Sequence, residues 1–181
     1  MSPALPLPTG RWSRTTLPDT ATPLTLESAH GVPIVLVAHH NDDAPPPPIN
    51  PAVISGLDHV VVRSPNPDRA LALYGARLGL DLRLDRTNPE WESRLLFFRC
   101  GDLVVEIVHG LKAGRSEGSD HLWGLSWRVP DAESVHARLS AAGIEVSEIR
   151  SGRRPGTRVF TVRDRATRVP TLVLEAPGPS P

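Results

Sequence analysis

Gly56-Leu57-Asp58-His59-Val60-Val61-Val62-Arg63, followed at once by Ser64-Pro65-Asn66-Pro67-Asp68, is the stretch on which the fold turns. Residues 57–63 are a β-branched run that reads as a strand, with His59, Val61 and Arg63 facing one way and Val60 and Val62 the other. Asn66 then supplies a helix cap, Pro67 suits the first helical position, and Asp68 places an acid at the positive helix end. Leu71, Tyr74 and Leu78 recur at helical spacing before Gly79 stops the helix. Three more strands are expected at 80–87, 94–99 and 103–108, the last two joined by the tight turn Cys100-Gly101-Asp102. The order is βαβββ. It returns downstream as a strand at 122–129, then a helix capped by Asp131 with Val135, Leu139 and Ala142 on one face and Gly143 as its stop. Strands at 146–149, 157–163 and 170–174 complete it, with a glycine-bearing turn at 151–156.

The reading is therefore an α+β domain over 53–177, made of modules 54–110 and 121–176. Neither module is large enough to cover a sheet face alone, so the two are expected to share one cleft, an open barrel in which a small molecule would bind. Residues 1–52 form a proline-rich extension holding eleven of the 20 prolines, including the run Pro45-Pro46-Pro47-Pro48, an extended linker. Residues 1–22 lack apolar periodicity and read as unstructured. Within the extension, 31–37 reads as one strand. Ala29, Val32, Pro33 and Leu36 match Ala166, Val169, Pro170 and Val173 at one constant offset, either by chance between two apolar strands or because 24–38 is the last strand of a further, truncated module.

Composition narrows the function classes. The 181 residues carry 20 basic and 20 acidic side chains, and the pI is about 7.1, which gives no field to attract nucleic acid or a membrane surface. No apolar run approaches the roughly 18 to 20 residues that span a bilayer. A lone cysteine, Cys100, and the lack of a secretion signal in this sequence favour the reducing cytoplasm.

The chain resembles the vicinal-oxygen-chelate superfamily, which includes glyoxalase I, extradiol dioxygenases, methylmalonyl-CoA epimerase and bleomycin-resistance proteins. The likeness covers 54–176 and rests on residues 56–62, the helix closing Leu78-Gly79-Leu80, Val104-Val105-Glu106-Ile107-Val108, and Leu125-Ser126-Trp127-Arg128-Val129-Pro130-Asp131 before Ala141-Ala142-Gly143-Ile144. Such enzymes hold a divalent metal on the first and last strands of each module. The resemblance places His59 and Glu106 at those positions in the first module, a pair suited to Zn, Fe, Mn or Ni. In the second module, however, Gly124 stands where His is expected and Leu172, or Thr171 one register earlier, where Glu is expected, and neither Gly124 nor Leu172 can ligate. His121 and Glu175 lie three residues from those positions, on the opposite strand face, as His109 does relative to Glu106. The likeness implies a lyase, isomerase or dioxygenase acting on a substrate with neighbouring oxygens. Without a metal, His59 and Glu106 would serve as a catalytic acid–base pair. The vacated positions equally suit a non-catalytic, bleomycin-resistance-type protein that sequesters a ligand.

Trp123 and Trp127 alternate on one strand face and could join Phe97 and Phe160 in a ligand-binding aromatic wall, or pack against helix two. Arg158, with Arg150, Arg153 and Arg154, gathers guanidinium groups around one turn that would suit an anionic group, or form a solvated hairpin. A homodimer formed across 122–129 is one way to complete the cleft.

Overall fold

The computed structural model describes residues 22–23, 29–36, 50–164 and 168–176. The readings for 1–21 and for the proline run at 45–48 fall outside them. Within the extension, β1 (Thr22–Pro23) pairs antiparallel with β2 (Val35–Leu36), so the strand expected over 31–37 is only a two-residue ladder in the described part, and Thr22, expected to be unstructured, is its partner. Pro33 carries no N–H and cannot donate to a ladder, and His30 and Gly31 take positive φ, which turns the chain before β2 begins.

The expected order follows. The first half runs β3 (Gly56–Arg63), α1 (Pro67–Ala70) continuing as a π-helical stretch (Leu71–Arg77), β4 (Asp81–Asn88), β5 (Ser93–Cys100) and β6 (Leu103–Gly110). The second runs β7 (His121–Val129), α2 (Ala132–Ala141), β8 (Arg150–Ser151), β9 (Arg158–Val162) and β10 (Thr171–Glu175). Strand order in the first half is β4-β5-β6-β3 and in the second β7-β10-β9-β8, so in each the first strand neighbours the fourth. This is an α+β fold built from two copies of one βαβββ plan. By compactness the chain divides inside β3 and β7: Val61 through Leu122, with residues 29–36, forms the first unit, and residues 50–60 with those from Trp123 onward form the second.

In the first unit, Asn66 caps α1 as expected, its Oδ1 accepting from the Arg69 N–H at 3.1 Å. The helix then differs from its periodic pattern. The Leu78 N–H donates to the Leu73 carbonyl at 2.9 Å, an i→i+5 bond, and the wider turn buries Ala70, Leu73 and Tyr74 while Leu71 and Leu78 stay half-buried. These side chains share a core with Leu96, Phe98, Val105 and Ile107, which alternate onto one face of β5 and β6. Tyr74 meets Phe98 with ring centroids 5.9 Å apart. The hairpin between β5 and β6 closes through Gly101 at φ +61°, as its sequence implied.

In the second unit, Val129, Ala132, Val135, Phe160 and Val173 form the core, with Leu139, Val146, Ile149 and Val162 packed against it. Asp131 caps α2 by accepting from the N–H groups of Glu133 at 2.9 Å and Ser134 at 3.4 Å. The strand expected at 146–149 is reduced to a single bridge between Val146 and Val162, and the ladder begins only at Arg150. Val146 and Ile149 are three apart, so both can turn toward the core only where the extended alternation is broken. Among the described residues no helix is long and apolar enough to cross a membrane.

Candidate functional site

The second unit places the first half-strand of β3, with Asp58 and His59, beside the end of β7: the Ser55 N–H and hydroxyl both donate to the Arg128 carbonyl, at 2.8 and 3.0 Å. Asp58 is almost buried and is the centre of a small ionic cluster. Its Oδ2 meets His59 Nδ1 at 2.9 Å, its Oδ1 accepts from Arg128 Nε at 3.3 Å, and Arg154 reaches Oδ2 at 3.5 Å. The hydrogen bond from the His59 ring, then the charges of Arg154 and Arg128, hold the carboxyl below the usual carboxylate range against the opposing effect of burial. The aspartate is thus ionised at neutral pH. Because a carboxylate only accepts, His59 Nδ1 carries the proton in this hydrogen bond.

Ser126 stands two residues before Arg128 on β7, about 6.6 Å along the same strand face at the usual rise. It is 1% exposed and its Oγ is a buried hydroxyl with no hydrogen-bond partner among the described residues. Leaving such a group unpaired costs about 1–3 kcal/mol, which marks this face of β7 as a place where a ligand atom would be welcome.

The β7–β10 register shows where the positions expected to carry second-module ligands lie. Leu172 is beside Ser126, on the face of Gly124 and Arg128, whereas Glu175 is beside Val129 on the face that carries α2. Glu175 is occupied there. Its Oε2 accepts from the Ala132 N–H at 2.7 Å at the start of α2 and lies 3.6 Å from Arg158. Among the described residues, no group of three or more His, Cys, Asp and Glu side chains is gathered closely enough to hold a metal ion. A transition metal needs three or four such ligands, so the donor set does not fit the resident metal that the family resemblance implies.

Glu106 lies in the first unit, half-buried on β6 and directly across from Phe97 on β5. Val104 and Val108 share its strand face, while Val105, Ile107 and His109 take the other and are buried. The remaining expectations divide. Phe160 cannot line an aromatic wall with Phe97, because it is fully buried in the α2 core, where His136 meets it edge-on at 5.1 Å. Trp123 is exposed and Trp127 half-buried, and neither belongs to that core. Arg158 binds Glu133 and Glu175, whereas Arg154 turns to Asp58, so the two arginines serve different partners. Burial pushes the Cys100 thiol up, away from the thiolate needed for nucleophilic chemistry.

Asp58, Arg128 and Ser126 escaped the sequence reading. Asp58 is adjacent to His59 and should face away from it by strand alternation, so only coordinates reveal that the two side chains meet. An aspartate inside a β-branched run was a readable signal, since a buried carboxylate needs partners.

The model of the Glyoxalase/Bleomycin resistance protein/Dioxygenase superfamily matches residues 58–161, more than half of the chain. The chain belongs to this superfamily. No curated protein matches it. Among solved structures, methylmalonyl-CoA epimerase from Mycobacterium tuberculosis is similar at 19% identity and a TM-score of 0.57, over 72% of this chain and 93% of that one. A hypothetical protein from Bacillus halodurans C-125 gives 19% identity and 0.55, over 69% and 96%. The methylmalonyl-CoA epimerase of Streptomyces coelicolor in complex with 2-nitronate-propionyl-CoA gives 16% and 0.54, over 70% and 100%. At these identities the likeness establishes the superfamily fold.

Proposed function

We propose that the protein is a proton-transfer enzyme of this superfamily, an isomerase or epimerase acting next to the carbonyl of a small acidic molecule. The observation that carries this reading is the 2.9 Å contact between His59 Nδ1 and Asp58 Oδ2, flanked by two arginines. In this role Asp58 fixes the tautomer and orientation of the ring, and His59 Nε2 takes the proton from the carbon and returns it. Arg128 and Arg154 then stabilise the negative oxygen that develops, and the Ser126 hydroxyl donates to it. Glu106, half-buried on β6 of the first unit, is a candidate acid–base group in its own right. The similarity to methylmalonyl-CoA epimerases makes an acyl thioester with an adjacent carboxylate the first substrate class to try.

The test is incorporation of deuterium from heavy water into the α-carbon of a methylmalonyl thioester. His59→Ala should lower the exchange rate by about 10²- to 10⁴-fold, the usual worth of a positioned acid or base. Asp58→Asn should lower it while leaving ligand affinity within a few-fold, because the carboxylate acts through the ring. Exchange at the wild-type rate in His59→Ala would overturn the proposal. Metal content below one equivalent in the wild type, His59→Ala and Glu106→Ala alike is expected from the donor set, and a stoichiometric metal lost in both variants would restore the metal-dependent reading.

A second reading is favoured by Gly124 and Leu172, which offer no ligating group on the face beside Ser126 and Arg128. It makes the protein a binder that sequesters its ligand. Tight binding of a small anion with no exchange or turnover would select it.

A further inference from the structure

The first unit contains a cavity of about 530 Å³ where β3 and β6 end and β5 begins. That volume lies in the range of small-molecule sites. None of His59, Asp58, Arg128 and Glu106 lines it. We propose that this cavity is a separate binding site for a planar hydroxyaryl carboxylate.

Its buried end is polar. His109 is 5% exposed and its Nδ1 lies 3.1 Å from the Ser64 carbonyl, so that nitrogen carries a proton and donates it. With Nδ1 engaged, Nε2 is the ring atom left to meet a ligand, and a phenolic hydroxyl is a suitable partner for it. Its exposed end carries the Arg63 guanidinium, the His121 imidazole and the half-exposed indole of Trp91. Glu92, the one carboxylate in the lining, is neutralised by Lys112 at 2.6 Å. A flat ring against Trp91, a carboxylate toward Arg63 and His121, and a hydroxyl directed at His109 would satisfy all three features.

The wall of the cavity is built rather than loose. Ser119 and His121, both in the lining, flank Asp120, which is buried and accepts from Ser64 Oγ at 2.7 Å and Arg69 Nη2 at 2.8 Å. The Asp120 N–H donates to the His30 carbonyl at 2.7 Å, and Gly31 packs so closely that a Cβ there would lie 2.8 Å from the Asp120 carbonyl oxygen and from Ser119 Cβ. Gly31 also takes φ +105°, open mainly to glycine, so the extension clasps the wall in a way few other residues would allow.

The experiment is isothermal titration of the full chain with 4-hydroxybenzoate, 4-methoxybenzoate and benzoate. The expected order is 4-hydroxybenzoate at least tenfold tighter than 4-methoxybenzoate, with the preference lost in His109→Phe. Trp91→Ala and Arg63→Met, both at exposed positions, should each weaken 4-hydroxybenzoate at least tenfold, so the result does not depend on folding of the buried variant. His59→Ala and Arg154→Ala, in the other unit, should bind as the wild type does. Equal affinity for the hydroxy and methoxy compounds, full affinity in Trp91→Ala and Arg63→Met, or a parallel loss in His59→Ala would each overturn the assignment, and the last would instead place the ligand at the proton-transfer site.

Discussion

The two βαβββ copies solve the same packing problem with different chemistry. In the second unit, Phe160 and Val173 meet Val135 of α2 in a purely apolar core; Asp131 and Glu175 satisfy N–H groups at the helix start, and the Asp58 cluster lies outside that core on β3. In the first unit the helix widens into a π turn and lies beside a buried polar node in which Asp120 takes hydrogen bonds from Ser64 and Arg69. That node is incompletely satisfied: Asp120 Oδ2, Arg69 Nε and the Tyr74 hydroxyl lack hydrogen-bond partners among the described residues. The difference teaches that a repeat can conserve topology while what lies beside the helix changes from purely apolar packing to an apolar core joined by a charged, buried node, so that removal of a single charge next to the helix should be felt most in the first unit.

The largest effects should come from the centre of each core. Phe160→Ala removes a fully buried ring and should cost about 3–5 kcal/mol in urea unfolding. Asp120→Ala should cost a comparable 3–5 kcal/mol, because it leaves the Arg69 guanidinium, 13% exposed, without its buried partner. The comparison is sharpened by doubling. Arg69→Met combined with Asp120→Ala should recover part of the loss, since removing both charges abolishes the unpaired one, whereas no second substitution of that kind exists for Phe160. Additive losses in the double variant would break the contrast.

Much of this architecture was legible beforehand because period-2 and period-3.6 patterns, caps and stops agree with each other at 57–79 and again at 122–143. Asn66, Asp131 and Gly101 act as their residue types dictate. The π turn was not legible, since Leu71, Tyr74 and Leu78 fit an ordinary helix; in the folded chain the wider turn goes with Tyr74 seated 5.9 Å from Phe98. At the candidate site, His59 was readable as a candidate, and strand alternation alone sends Glu175 to the far face, as the β7–β10 register has it. The sequence could not identify Asp58, Arg128 and Arg154 as one cluster, since they come from three separate segments and meet only through tertiary structure.

A medium effect is expected at alkaline pH, again confined to the first unit. Tyr74, the only tyrosine in the chain, is pushed up to about 12 by burial and by the nearby Asp120 charge. Unfolded, the phenol ionises near 10, so below pH 10 both states keep the proton and the native advantage is complete. As pH rises from 10 toward 12 the unfolded state releases its proton first, and stability should fall by about 1.4 kcal/mol per pH unit from this group. Phenolate absorbance should appear only together with unfolding. A phenolate signal at pH 10 in the folded protein would show that Tyr74 is open to solvent.

The smallest effect isolates the polar trimming of the second unit. Glu175→Gln keeps the side-chain shape and an oxygen that can still accept from the Ala132 N–H, but it removes the charge from the start of α2 and from Arg158. The expected cost is about 0.3–1 kcal/mol at low salt, the worth of a carboxylate near a helix N-terminus, and it should shrink as salt rises. Asp120→Asn in the first unit removes one charge too, but from a site where the side chain has no exposure, so its cost should exceed that of Glu175→Gln and persist in salt. Equal, salt-sensitive costs at both positions would mean that the buried node is solvated, and the division of labour between the two copies would fail.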